Sequence, residues 1–156
     1  IEHGDFIDVE LGKLMKQYNV TYIPTISAVD VISQYRGWKK GVTDPPINVL
    51  NKRKSFKDAI ASGVSIGMGG DVGVYPHGEN VLEMELMVEY GLPVIDALKA
   101  ATSINAKAFH IDDSLGYIKP GYIADIIAVE GDPSKNISDL KKVKFVMKEG
   151  IIYVSK

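Results

Sequence analysis

Apolar positions fall at helical spacing in the first part of the chain and in short β-rich runs toward its end. Asp8 is placed to cap a helix that carries Leu11, Leu14, Met15 and Tyr18 on one stripe. Val20 to Ile26 is dense in β-branched and aromatic residues and predicts a strand, with Pro24 near its end. Ser27 to Asp44 has weak periodicity and predicts a long loop in which Tyr35 and Trp38 either line a pocket or fasten the segment. Asp44-Pro45-Pro46 opens a helix that points Leu50, Phe56 and Ile60 inward and stops at Gly63. Val64 to Met68 predicts a second short apolar strand, cut off by Gly69-Gly70-Asp71.

A loop from Val72 to His77 leads into a helix over Glu79 to Tyr90, with Leu82, Leu86 and Tyr90 in line and Met84 and Met87 in the core. Pro93 starts a further helix through Ala101, and Ser103 caps a short one to Phe109. The pattern then changes. Leu115 to Ile118, Ile123 to Val129, Lys144 to Lys148 and Ile151 to Val154 predict short strands, the last two joined at Glu149-Gly150. Residues 1–112 thus read as βα units of a parallel sheet and residues 113–156 as a small antiparallel β element. So few parallel strands cannot close a barrel, and their edges stay unpaired, which implies that more sheet is missing.

Composition narrows the function classes. The 156 residues carry 18 basic and 20 acidic side chains, so no basic excess favours nucleic acid. No apolar run approaches the ~20 residues that cross a bilayer. The absence of cysteine excludes disulfides and thiolate metal sites, and a cytoplasmic location is the expectation. Lys52-Arg53-Lys54 reads as a solvated helix face. The chain opens Ile1-Glu2-His3-Gly4, without methionine, as if within an element.

Candidate chemistry rests on few groups. Asp71 directly follows an apolar strand and two glycines, and reactive groups of βα sheets lie at the C-terminal strand ends. An aspartate there binds a divalent metal or acts as a general base, and it equally reads as the cap of the following turn. His77 shares its loop, and for a lone loop histidine surface exposure is the plainer reading. His3 sits at a chain end, where local pattern assigns nothing. His110, at a helix end, reads as structural.

Five segments together resemble the metal-dependent amidohydrolase superfamily, its imidazolonepropionase-like and prolidase-like branch in particular. They are Ile1-Glu2-His3-Gly4, Gly69-Gly70-Asp71-Val72-Gly73, Pro76-His77-Gly78-Glu79-Asn80, Ala97-Leu98-Lys99-Ala100-Ala101-Thr102, and Leu115-Gly116 through Asp125. The resemblance implies an α/β fold: the C-terminal portion of a (β/α)8 TIM-like barrel over residues 1–112, from the sixth strand onward, and over 113–156 part of a small β-sandwich. It matches His3 to a sixth-strand metal ligand and Asp71 to an eighth-strand aspartate that binds metal and moves the proton of the attacking water. It matches His77 to a loop histidine near the substrate. Gly70 departs from the pattern, which has threonine or serine there; a hydroxyl close to the metal is thereby lost.

The cofactor implied is a divalent metal, zinc by default, as one or two ions. The partners implied are a small-molecule amide or short peptide substrate and the missing N-terminal part of the barrel, with homo-oligomerisation left open and neither nucleic acid nor membrane expected. The family's first-strand His-x-His pair, fourth-strand carboxylated lysine and fifth-strand histidine have no counterpart here. Catalytic zinc takes about three protein ligands, so the expectation is a hydrolase of C–N bonds in the complete protein and an inactive isolated chain. Two rival readings are a half-barrel structural or oligomerisation module and a non-catalytic small-molecule binding protein.

Overall fold

The order of elements follows from where the chain can bury an apolar face. In a computed structural model that describes residues 1–155, Asp8 accepts a hydrogen bond from Leu11 N at 2.8 Å and starts α1 (Val9–Gln17). The buried face of α1 is Gly12 and Met15, while Leu11, Leu14 and Tyr18 are exposed. Gly12 sets this rotation, because any β-carbon there would overlap the Ser62 side chain of α3 (Ile47–Ser62). α3 ends at Gly63 with φ 70°, as its sequence predicts.

The parallel sheet is short. β1 (Thr21–Tyr22) pairs with β2 (Ser65–Ile66), and Glu2 bridges to Ile23 on the other side, also in parallel. The pairing continues from Gly67 N to Tyr22 O at 2.8 Å. The strand predicted over Val20 to Ile26 is therefore cut at Ile23, and residues 27–35 are not loop but α2 (Ile26–Tyr35). The cause is a tertiary cap. Glu83, from α4 (Val81–Glu89), accepts Ile26 N at 2.9 Å and Ser27 N at 2.7 Å and satisfies the first donors of α2. Tyr35 ends α2 in solvent, whereas Trp38 is buried and donates from its indole nitrogen to Thr43 O, fastening the following turn.

The predicted break between Ala101 and Ser103 is also absent. α5 (Val94–Lys99) runs through a π-helical stretch, Ala100–Ile104, into α6 (Asn105–Ala108). The wider turn frees Ala100 O to accept Met68 N at 3.3 Å, and the Asn105 amide clasps Met68 by both backbone groups, at 3.1 and 2.7 Å. Leu115 to Ile118 is bend rather than strand, because Gly116 turns at φ 88° and presses on Ala106 of α6. β3 (Ile126–Val129), β4 (Val143–Lys148) and β5 (Ile151–Ser155) form an antiparallel sheet in that order, with the hairpin at Glu149-Gly150 as predicted.

Tyr22, Ile26, Phe56, Leu86, Met87 and Ala97 meet in the core between the parallel sheet and the helices. Phe6, Leu11, Leu14, Tyr18, Ile151, Ile152 and Tyr153 stay exposed. Phe56 has no exposed surface, so Phe56→Ala is expected to cost about 3–5 kcal/mol in urea unfolding and Phe56→Leu under about 1.5 kcal/mol. Equal losses would contradict this placement of the core.

Candidate functional site

Each parallel strand leads out into a non-glycine residue in left-handed backbone. His3 has φ 64°, Thr25 φ 47° and Asp71 φ 55°, all left-handed and none glycine. For β-branched Thr25 this is a true outlier. Such conformations persist only where neighbours over-determine them, and they gather at functional sites.

The neighbours are identifiable. Lys52, buried on α3, donates from Nζ to His3 O at 2.8 Å and to Pro24 O at 2.8 Å, and pairs with Asp5. It thereby ties the exits of two adjacent strands to one ammonium. Burial lowers the Lys52 pKa and Asp5 opposes that shift. The basic run expected to be solvated is so only in part: Lys54 lies outside, and Lys52 is 1% exposed. The His3 ring meets Thr25 Oγ1 through Nδ1 at 2.8 Å, leaving Nε2 for another partner. On the third strand, Ser27 Oγ donates to Gly70 O at 2.9 Å, so α2 reaches over to hold the residue before Asp71.

His3 and Asp71 thus stand on the C-terminal side of the same parallel sheet, each exposed. His77 is exposed on the loop after Asp71, and its side chain makes no hydrogen bond among the described residues. His110 follows α6 at φ 57°, in solvent, as a helix-terminal residue. No group of three or more His, Asp or Glu is close enough to hold a metal among the described residues. His3 Nε2 and the Asp71 carboxylate suit a divalent metal in donor type, yet two ligands fall short of a catalytic site. Two clefts among the described residues lie away from these side chains. One of 540 Å³, lined by Ala101, Phe109, Tyr117 and Ile127, lies against β3, and another of 480 Å³ lies between α4 and β4; neither includes His3, Asp71 or His77.

Local pattern missed Thr25, Lys52, Tyr75 and Glu83. Glu83 left a trace, as a carboxylate between Leu82 and Met84 in an apolar helix, but Glu85 between Met84 and Leu86 leaves the same one.

Comparison with known proteins gives the family. The amidohydrolase family model matches residues 1–152, and the chain belongs to that family. The ochratoxinase of Aspergillus niger is 30% identical over 94% of this chain, and the chain spans only 31% of its length. A Xaa-Pro dipeptidase crystallised with methionine in its active site superposes with a TM-score of 0.88 at 38% identity, over 99% of this chain and 39% of its own. A prolidase complexed with N-methylphosphonate-L-proline superposes at 0.83 with 25% identity, over 100% of this chain and 40% of its own. The fold is thus mixed α/β with neighbours in the amidohydrolase fold, and it corresponds to about two fifths of those chains.

Two outcomes follow. Lys52→Met strands two strand-end carbonyls and Asp5, and is expected to cost about 3 kcal/mol or more in chemical unfolding; a loss under about 1 kcal/mol would contradict the role of the ammonium. Burial raises the Glu83 carboxyl above its ordinary 4.5, against the opposing hydrogen bonds from Ser27 and Ile26 and the charge of Lys52. The folded chain therefore holds that proton more tightly than the unfolded one. Its stabilisation is full below 4.5 and is lost as pH rises through the folded value. The stability of the wild type relative to Glu83→Gln should fall as pH rises from there, and a rise would contradict the assignment.

Proposed function

We propose that this chain is the C-terminal portion of a metal-dependent hydrolase that cleaves amide or peptide C–N bonds. Residues 1–112 supply the last βα units of its barrel, and residues 113–156 supply a share of its β-sandwich. The observation that carries the reading is the pair His3 and Asp71, held in left-handed backbone at the same end of one parallel sheet. Family membership supports it, as do the dipeptidase, prolidase and ochratoxinase relatives. The exposed Phe6, Leu11, Leu14 and Tyr18 at and around α1, and Ile151, Ile152 and Tyr153 on β5, support a larger body around the chain.

His3, through Nε2, and Asp71 are the ligands this chain gives to a divalent metal, with zinc the first choice, and the remaining ligands come from preceding barrel strands. The metal supplies a water acidic enough to attack at neutral pH and a Lewis acid for the scissile carbonyl. Asp71 takes the proton from the attacking water. It delivers that proton to the amide nitrogen as the C–N bond breaks, so the products are a carboxylic acid and an amine. Its exposed carboxylate can be reached by both the water and the leaving group. His77, on the loop that follows the same strand end, contacts the substrate. The dipeptidase and prolidase neighbours favour a dipeptide or an N-acyl amino acid as substrate.

Asparagine tolerates left-handed backbone as well as aspartate does. In the complete protein, Asp71→Asn should therefore keep the melting temperature while lowering kcat by about 10²–10⁴-fold. Chelation should abolish activity and added metal restore it. Hydrolysis that survives Asp71→Asn would sink the mechanism. Ligand binding without turnover, unaffected by chelator, would favour the binding-protein reading.

A further inference from the structure

In the loop after Asp71 one side chain is buried. Tyr75 is 5% exposed, between exposed Val74 and Pro76. Its hydroxyl points back at the strand end it has just left. A β-carbon on Gly70 would overlap that hydroxyl, and it would also lie 3.2 Å from Tyr75 Cζ and 3.1 Å from Ser27 Oγ. Gly70 is not in the left-handed region. It is glycine for space rather than for conformation, and the space is filled by a tyrosine five positions later.

The hydroxyl is also buried without a hydrogen-bond partner among the described residues. Ser27 Oγ donates its proton to Gly70 O at 2.9 Å, so toward Tyr75 it is an acceptor only. Burial raises the Tyr75 pKa, the nearby Ser27 hydroxyl opposes this, and the charges of Glu83 and Asp71 add to the rise, so the phenol stays protonated. A buried hydroxyl without a partner is destabilising, and phenylalanine would avoid that cost in a purely structural role. Gly70 is thus gripped twice, by Ser27 at its carbonyl and by Tyr75 against its α-carbon, immediately before left-handed Asp71.

We propose that Tyr75 is a positioning residue for Asp71: its hydroxyl takes the side-chain space of residue 70 and, with Ser27, fixes the Gly70-Asp71 backbone so that the Asp71 carboxylate is aimed at the metal position. The role of Asp71 as a ligand rests on the function proposed above; the wedge itself does not. The hydroxyl and the missing side chain are coupled in size. Restoring a β-carbon at 70 is tolerated only if the hydroxyl is removed.

The test is a double-mutant cycle in the complete protein with Gly70→Ala, Tyr75→Phe and both together, read by cobalt(II) titration and its visible absorption spectrum, beside melting temperature. Gly70→Ala alone should weaken cobalt binding by about 10–100-fold and change the spectrum. Tyr75→Phe alone should weaken it by about 3–10-fold at an unchanged or higher melting temperature, since a buried unpaired hydroxyl is removed. The double variant should recover to within about threefold of Tyr75→Phe, a coupling that independent sites do not show. Additive effects, or cobalt affinity and spectrum unchanged in Tyr75→Phe, would overturn the positioning role while leaving the metal site intact. A wild type that binds no cobalt would sink the catalytic reading first, and the aiming of Asp71 with it.

Discussion

The buried ammonium of Lys52 is the constraint on which the strand-end architecture depends. Two parallel strands leave the sheet at His3 and Pro24 with carbonyls that no further ladder partner can satisfy, and Lys52 takes both. An ammonium 1% exposed is tolerable only because Asp5 pairs with it and because the negative field of Glu83 lies close by. Glu83 in turn can remain buried because the first amides of α2 point at it. Removing any member leaves another uncompensated, so helix α2, the end of β1 and the backbone of His3 stand as one unit.

That unit explains how left-handed backbone survives at adjacent strand ends. Thr25 is forced between Pro24, whose carbonyl is bound by Lys52, and Ile26, whose amide is bound by Glu83. Its strained conformation presents Oγ1 to His3 Nδ1 and thereby fixes the orientation of the imidazole. The same start of α2 sends Ser27 across to Gly70. The candidate ligands are therefore held through a common helix terminus, although they lie far apart in the chain. Strain on this scale, about 1–3 kcal/mol per residue, is met by the buried network behind it.

What the sequence made legible is what neighbours in sequence decide. Asp8 caps α1, Gly63 stops α3, and Glu149-Gly150 turns the hairpin, all through contacts a few residues long. The methionines of α4 fall in the core as their spacing predicts. α2 was hidden because its cap is a glutamate 57 positions away. The continuity of α5 into α6 was hidden because a π turn there is stabilised by Met68, on another element. Lys52 looked solvated because Arg53 and Lys54 flank it, and only the tertiary fold shows that its ammonium is spent on carbonyls. Of the candidate site, Asp71 was visible from its place after an apolar strand, whereas His3 and His77 were visible only through family resemblance. Gly70 stands out against the family pattern as a missing hydroxyl; that a tyrosine occupies its space is a tertiary fact that spacing does not carry.

The central claim is that His3 and Asp71 serve one metal position shared with strands outside this chain. The direct test is anomalous scattering from crystals of the complete, metal-loaded protein. The account predicts a peak bonded to His3 Nε2 and to an Asp71 carboxylate oxygen, with further ligands from preceding residues, at the ~2.0–2.2 Å typical of zinc. A metal bound elsewhere, or one that leaves either residue out of its coordination sphere, would contradict it.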